Sequence, residues 1–171
     1  MKNRLVLALS AIGLAAMSFA FVFGPQSLTV VRGQVVSGNL GSLLSSDNNR
    51  LVVRSGVRVT TYDNPIDILG QVVCGQPNPS SIVLRIEDNA STSGLVEYVE
   101  MWNWSTNRFE EVYRGAIPTT ETARQIAVPN GGRFTNSGGQ MQIRYWVDSR
   151  GPVLTPTWTV SLDELTWDVN F

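Results

Sequence analysis

The sequence predicts an all-β fold, a two-sheet antiparallel β-sandwich that is jelly-roll-like, and three observations lead to it. Val, Ile, Thr and Trp fill short stretches, and 15 Gly and 8 Pro are scattered between them as turn residues. Several of these stretches alternate apolar and polar residues, as half-buried strands do. No stretch predicts a helix long enough to connect parallel strands, so we expect antiparallel pairing in two sheets with about eight to ten strands.

The N-terminus predicts an export signal. Lys2 and Arg4 precede an uninterrupted apolar stretch from Leu5 to Phe23. Ser18-Phe19-Ala20 places small residues at the two positions that a signal peptidase reads. We therefore expect cleavage after Ala20.

This interpretation makes residues 1–20 a signal peptide and residues 21–171 a single β-sandwich domain. An uncleaved membrane anchor over residues 5–23 is the alternative, because a helix of about 19 residues just spans a hydrocarbon core of about 30 Å. In both cases the domain lies outside the cytoplasm, secreted or held at the cell surface, and it contacts a membrane only if the segment is uncleaved.

The first half of the domain predicts strands separated by turns. Leu40, Leu43 and Leu44 recur at helical spacing and predict a helical turn between the first two strands. The strands are predicted at LTVVRGQVV (28–36), LVVRSGVRVTTY (51–62) and IDILGQVVC (66–74).

Two later stretches alternate most clearly. In SIVLRIED (81–88), Ile82, Leu84 and Ile86 point to one face. In MQIRYWVD (141–148), every second residue from Met141 to Val147 is apolar or aromatic and is predicted to point inward. Both stretches therefore predict half-buried strands.

The last strand changes parity. Trp158, Val160 and Leu162 share one parity, whereas Leu165, Trp167 and Val169 share the other. Both sets can face one core only if an extra residue is inserted near Asp163-Glu164, so we predict a β-bulge there.

EMWNWSTNRFEEV (100–112) predicts a hairpin whose register follows from its hydrophobic pattern. A loop of two residues (106–107) or four residues (105–108) places Trp104 opposite Phe109, Trp102 opposite Glu111 and Met101 opposite Val112. A three-residue loop places Met101 opposite Glu111 instead and brings charges into the core, so we reject it.

In the accepted register, one face of the hairpin carries both indoles together with carboxylates. Aromatic rings stack on the weakly polar C–H face of a sugar, and acids accept hydrogen bonds from its hydroxyls. A neighbouring strand would extend this face with an arginine and a third tryptophan. The candidate ligand-binding residues are Trp102, Trp104, Phe109, Glu111, Arg144 and Trp146; in the same register Glu100 and Tyr113 lie on this face too. The alternative is structural, because tryptophans dominate the cores of small β domains and loops can cover an outward face.

The composition excludes several classes of function. Histidine is absent and Cys74 is the single cysteine, which removes the commonest general base, an internal disulfide and Cys/His metal sites. The formal net charge is −1 and no basic stripe occurs, so nucleic-acid binding is set aside. Glu110 and Glu111 point to opposite faces of a strand and make no glycosidase pair. No catalytic residues are identified, and we expect a protein without enzyme activity.

Asp47-Asn48-Asn49 is rich in oxygen ligands and, with Asp163 or Glu164, raises the question of a structural calcium ion. The segment lacks the spacing of a defined calcium motif. A turn or cap role is favoured because Asp and Asn commonly close turns with their own backbone. The sequence therefore predicts no cofactor and no metal site.

EMWNWSTNRFEEV, MQIRYW and RGPVLTPTWTVSLDELTW, with the opening PQSLTVVRGQVVSGNL, resemble an uncharacterised β-sandwich region of secreted bacterial proteins. The resemblance covers residues 25–171. That region is distantly similar to galactose-binding-like jelly rolls, and the resemblance implies neither catalytic nor ligand residues.

These observations favour a secreted or surface-held domain for adhesion or recognition, with carbohydrate binding as its chemistry. Its expected partner is a polysaccharide or another surface protein. The alternative is a structural component of the cell envelope or extracellular matrix that assembles by self-association through sheet edges or through the aromatic face.

Overall fold

The computed structural model describes residues 20–60, 63–149 and 157–171. In these ranges the chain forms strands and two short 3-10 helices. The strands are β1 (Ala20–Phe23), β2 (Ser27–Arg32), β3 (Gln34–Ser37), β4 (Leu51–Arg54), β5 (Ile66–Val73), β6 (Ser81–Ala90), β7 (Val96–Asn103), β8 (Arg108–Ala116), β9 (Thr122–Val128), β10 (Gln140–Asp148) and β11 (Thr159–Asn170). The 3-10 helices are Leu40–Leu43, at the predicted helical turn, and Gly131–Phe134.

The strands form two antiparallel sheets, as predicted. One sheet has the order β3-β4-β11-β6-β9, with β1 paired to the far end of β11, and we call it the six-stranded sheet. The other has the order β2-β5-β10-β7-β8 and is called the five-stranded sheet. Non-consecutive strands are neighbours in both sheets, which is the connectivity of a jelly-roll sandwich.

The predicted signal peptide (1–20) and the alternative anchor (5–23) lie almost entirely outside the described residues. Ala20–Phe23, the part that is described, forms β1 and pairs with β11, from Ala20 opposite Asn170 to Phe23 opposite Trp167. No helix among the described residues is long and apolar enough to cross a membrane.

The core lies between the two sheets and confirms the predicted alternation. Ile82, Leu84 and Ile86 on β6 are buried, and on β10 each of Met141, Ile143, Tyr145 and Val147 is fully buried. Because side chains alternate along a strand, the residues between them face outward.

β11 contains the predicted β-bulge. Leu162 pairs with Asp88 and Glu164 pairs with Glu87, so Asp163 is the inserted residue. The insertion lets Val160 and Leu162 on one side and Leu165, Trp167 and Val169 on the other point into the same core, and all five are fully buried.

The stretch 28–36, predicted as one strand, is two strands in different sheets. β2 pairs with β5 and β3 pairs with β4, and the chain crosses between the sheets at Gly33. Gly33 has φ +101°, and a Cβ atom there would lie 2.8 Å from a Val53 methyl and 2.9 Å from the carbonyl oxygen of Arg54. Only glycine combines this backbone angle with such a close approach. This crossing, with β1 and β9, raises the strand number in the described residues to eleven.

The strand predicted over 51–62 is shorter than expected. β4 ends at Arg54, and the chain leaves the sheet as Ser55 donates its backbone N–H to the Trp158 carbonyl. Residues 61–62 lie outside the described residues.

A buried polar cluster, Asp88, Glu97, Arg124 and Tyr145, interrupts the apolar core. Arg124 bonds to both carboxylates, at 2.8 Å from Glu97, and the Tyr145 hydroxyl donates to Asp88 at 2.8 Å. Asp88 and Glu97 are both fully buried. Burial, followed by repulsion from Asp88 and a hydrogen bond between the two carboxyls, raises the pKa of Glu97 from 4.5 to about 9. Glu97 is therefore protonated at neutral pH.

Candidate functional site

The hairpin of β7 and β8 presents the predicted aromatic face, but its register differs from the prediction. Trp104 to Asn107 form a four-residue turn, with Asn107 in the left-handed region at φ 51°, and Trp102 lies opposite Phe109. The expected partner of Phe109 was Trp104, so the strands are shifted by two residues. A shift of two keeps every side chain on its predicted face, which is why Trp102 and Phe109 still point outward.

The shift places Glu110 opposite Met101 on the inner face, where the hydrophobic pattern predicted Val112. The charge is tolerated because Glu110 accepts hydrogen bonds from Asn103 at 2.8 Å and from Arg133 at 3.1 Å. Arg133 comes from the second 3-10 helix, which covers this end of the sandwich. These donors lower the pKa of Glu110, the hydrogen bond from Asn103 having the largest effect.

Tyr113 was predicted to lie on the outer face, and a β-bulge in β8 turns it inward. Glu100 pairs with Glu111 whereas Val99 pairs with Tyr113, so Val112 is the extra residue. Beyond it the face of each residue is reversed, and Tyr113 packs against the core instead of joining the outer aromatic face. Tyr113 lies 5.8 Å from the guanidinium of Arg124.

Three aromatic rings cluster at the turn end of this face. The ring of Trp102 lies 5.1 Å from Phe109 at 76° and 6.3 Å from Trp104 at 78°. Trp102 and Trp104 are half-buried, and neither belongs to the buried core between the sheets. The Trp102 ring is nearly perpendicular to both of the others, so the three rings do not form one flat plane, and we call the cluster of Trp102, Trp104 and Phe109 the notch. Trp104 is fixed in the turn because its backbone N–H donates to the Arg133 carbonyl at 2.9 Å.

β10 pairs with β7, as predicted for the strand that extends the aromatic face with Arg144 and Trp146. It places Arg144 opposite Glu100 and Trp146 opposite Tyr98. The rings of Tyr98 and Trp146 stack at 3.6 Å with an interplanar angle of 2°. Arg114, from the strand on the other side, lies 4.8 Å from the centre of the Tyr98 ring, so both faces of Tyr98 are covered.

Charged side chains separate the two aromatic groups. Arg144 forms a two-pronged ion pair with Asp67, with Nε at 3.0 Å and Nη2 at 2.6 Å, and a longer one with Glu100 at 3.5 Å. Glu111 lies directly opposite Glu100 on the neighbouring strand and is exposed. Among the residues that the structure describes, none forms an ion pair with Glu111.

The structure thus brings the candidate residues to one face of the five-stranded sheet. Trp102, Phe109 and Trp104 form the notch, Glu111 and Arg144 lie beside it, and Trp146 lies one row further along β10. The prediction from the sequence did not include Tyr98 and Asp67. Tyr98 shares the parity of Glu100 and Trp102, so alternation alone could have found it, whereas Asp67 becomes a neighbour only through the pairing of β5 with β10.

The Asp47-Asn48-Asn49 segment closes a turn, as predicted. The Asp47 carboxylate accepts the backbone N–H of Asn49 at 2.9 Å and the Ser45 hydroxyl at 3.2 Å. Asp47 therefore fixes its own loop.

No protein-family model and no curated protein matches the sequence. The fold, by contrast, is similar to several solved structures. A xylan-binding module, CBM15, superimposes with a TM-score of 0.57 at 8% identity, covering 89% of this chain and 97% of that one. The N-terminal cellulose-binding domain of β-1,4-glucanase C from Cellulomonas fimi superimposes with a TM-score of 0.53 at 14% identity, covering 86% and 91%. At these identities the likeness establishes the fold, a jelly-roll sandwich of the type found in carbohydrate-binding modules.

Proposed function

We propose that this protein is a non-enzymatic, secreted or surface-held domain that binds polysaccharide on the outer face of its five-stranded sheet. The observation that carries the proposal is the position of the notch beside the exposed carboxylate of Glu111, which forms no ion pair with any described residue. Aromatic rings and unpaired acceptors on one face suit a ligand that has both C–H faces and hydroxyls. The names of the two superimposed modules, xylan-binding and cellulose-binding, support the same class of ligand.

Each group has a defined part in the proposed binding. Trp102 and Phe109 supply apolar contact for a sugar ring, and Glu111 accepts hydrogen bonds from its hydroxyls. Arg144, held by Asp67 and Glu100, is a fixed donor within the same face. Trp146 and Trp104 lie on either side and extend the contact to neighbouring sugar units of a chain.

The directly opposed pair Glu100 and Glu111 supports a binding role. Like charges opposite each other on adjacent strands destabilise a sheet by about 0.2–1 kcal/mol. Within the described part of the chain, Arg144 compensates Glu100, and no cation compensates Glu111. A ligand that donates hydrogen bonds to Glu111 would explain why a carboxylate is present there although it lowers the stability of the sheet.

The test is calorimetric titration with oligosaccharides of β-1,4-linked xylose and of β-1,4-linked glucose, after a glycan-array screen. We expect Trp102→Ala to weaken binding at least about tenfold. Glu111→Gln should weaken binding while raising the free energy of unfolding by about 0.2–1 kcal/mol, because it removes the opposed charge.

Phe21→Ala is the matched control, since Phe21 is an exposed aromatic residue on β1 of the other sheet. It should leave binding unchanged. The proposal fails if no glycan on the array binds, or if Trp102→Ala and Phe21→Ala bind as the parent chain does.

Self-association is the second candidate, and one observation favours it. Val35 and Val36 on the edge strand β3 are 45% and 48% exposed, and Val31 on the edge strand β2 is 51% exposed. Light scattering over a range of protein concentrations separates the candidates. A concentration-dependent increase in mass that Val36→Lys abolishes, with no glycan bound, favours the structural role.

A further inference from the structure

A second cluster of charged groups lies away from the aromatic face. Glu87 on β6, Glu121 just before β9 and Asp163 in the bulge of β11 each bring a carboxylate oxygen to within 4.8 Å of the other two. The three residues are far apart in the sequence and come from three chain segments. Carboxylates that repel one another are thus held together by the fold.

The cluster contains oxygens that lack hydrogen-bond donors. Asp163 is only 1% exposed, and its Oδ1 is buried without a partner in the described part of the chain. Its other oxygen accepts the backbone N–H of Asn48 at 2.9 Å. One oxygen each of Glu87 and Glu121 is likewise buried and without a partner there. Buried ionised oxygens are costly unless a cation or a donor compensates them.

The local charge has the magnitude that a divalent cation neutralises. Arg50 forms an ion pair with Glu121 and also donates to Asn48. Counting the described residues, one guanidinium pairs with a cluster of three carboxylates, which leaves an excess of two acidic groups.

We propose that Glu87, Glu121 and Asp163 bind a calcium ion that joins β6, the segment before β9 and the bulge of β11. Calcium takes carboxylate oxygens at about 2.3–2.6 Å in flexible geometry, so one ion can bridge oxygens that lie within 4.8 Å of one another. Magnesium demands near-ideal octahedral geometry at about 2.0–2.1 Å and gives up its waters reluctantly, so a set of three protein carboxylates suits it less well. The bulge matters here because it directs the inserted Asp163 into the cluster.

This site differs from the Asp47-Asn48-Asn49 segment, whose oxygens raised the question of calcium in the sequence. Asp47 accepts the backbone N–H of Asn49 within its own turn, whereas Asp163 is part of the carboxylate cluster. Glu87 and Glu121 show no metal-binding spacing in the sequence, because each reaches the site through strand pairing.

The test is calorimetric titration of the full chain, freed of metal with EDTA and dialysed, with Ca²⁺ alone and with Mg²⁺ alone. We expect one Ca²⁺ site with a dissociation constant below about 1 mM, and Mg²⁺ at least about tenfold weaker. The melting temperature should rise by a few degrees in about 5 mM Ca²⁺ and fall again on adding EDTA. Asp163→Asn and Glu87→Gln should each weaken Ca²⁺ binding at least about tenfold.

Glu164→Gln is the matched control, because it removes the carboxylate next to Asp163 that is bonded to Thr166 instead. It should leave the affinity unchanged. The proposal is overturned if the parent chain gives neither heat nor a melting shift, or if Glu164→Gln weakens binding as much as Glu87→Gln. Should Asp163→Asn not fold, Glu87→Gln and the parent titration decide. Glycan binding is measured separately, so either proposal can fail alone.

Discussion

Replacing Glu97 with Gln tests whether the buried polar cluster between the sheets holds Glu97 in its neutral form. Glu97 is fully buried beside Asp88, and its pKa rises from 4.5 to about 9 through burial and through repulsion from that neighbour. In the folded protein Glu97 is therefore neutral at pH 7, whereas in the unfolded chain it is ionised. Folding at neutral pH takes up a proton at this residue.

The sign and size of the effect follow from this linkage. A group with a raised pKa in the folded state contributes its full stability below the unfolded value of 4.5 and loses it as the pH rises toward 9. One proton changes the free energy of unfolding by about 1.4 kcal/mol per pH unit. Between pH 5 and pH 7 the wild-type chain should therefore lose about 2–3 kcal/mol through Glu97. Glutamine mimics the neutral acid and should remove this loss.

The assay is urea denaturation of both proteins at about pH 5, 7 and 9, in a common buffer system. The free energy of unfolding of Glu97→Gln, relative to wild type, should increase steadily with pH. Glu164→Gln, which removes a half-buried carboxyl that accepts from Thr166, controls for a change in net charge. Parallel pH profiles for wild type and Glu97→Gln would refute the raised pKa and the linkage argument.

Two further predictions concern the backbone at Gly33 and the ion pair of Arg144 on the outer face. Gly33→Ala should lower the free energy of unfolding by about 2–3 kcal/mol, because the new Cβ atom would meet Val53. Gly94→Ala is the control, since Gly94 has φ +83° but nothing within 4 Å of a new Cβ atom. It should lower the free energy of unfolding by only about 1 kcal/mol. Equal costs in thermal melts would contradict the packing argument. Arg144→Lys should cost about 1–2 kcal/mol in urea denaturation, because lysine cannot form the two-pronged bond to the buried Asp67. An unchanged midpoint would show that this ion pair contributes nothing.

Local alternation was sufficient to predict the layers of the fold. The inward residues of β6 and β10 and the bulge near Asp163 follow from two-residue parity, which depends only on the geometry of an extended chain. Parity also explains why Trp102 and Phe109 lie on the predicted face although the register of their hairpin was wrong by two residues.

What the sequence by itself determined is therefore the fold class, the face of most side chains and the excluded chemistries. Only the tertiary structure decided which residues are neighbours. The sheet crossing at Gly33, the inward turn of Tyr113 and the stacking of Trp146 on Tyr98 each depend on a bulge, a bend or a strand pairing. The same holds for the carboxylates that meet at Asp163. Pairing between strands depends on the packing of the whole core, and no local pattern in the chain records it.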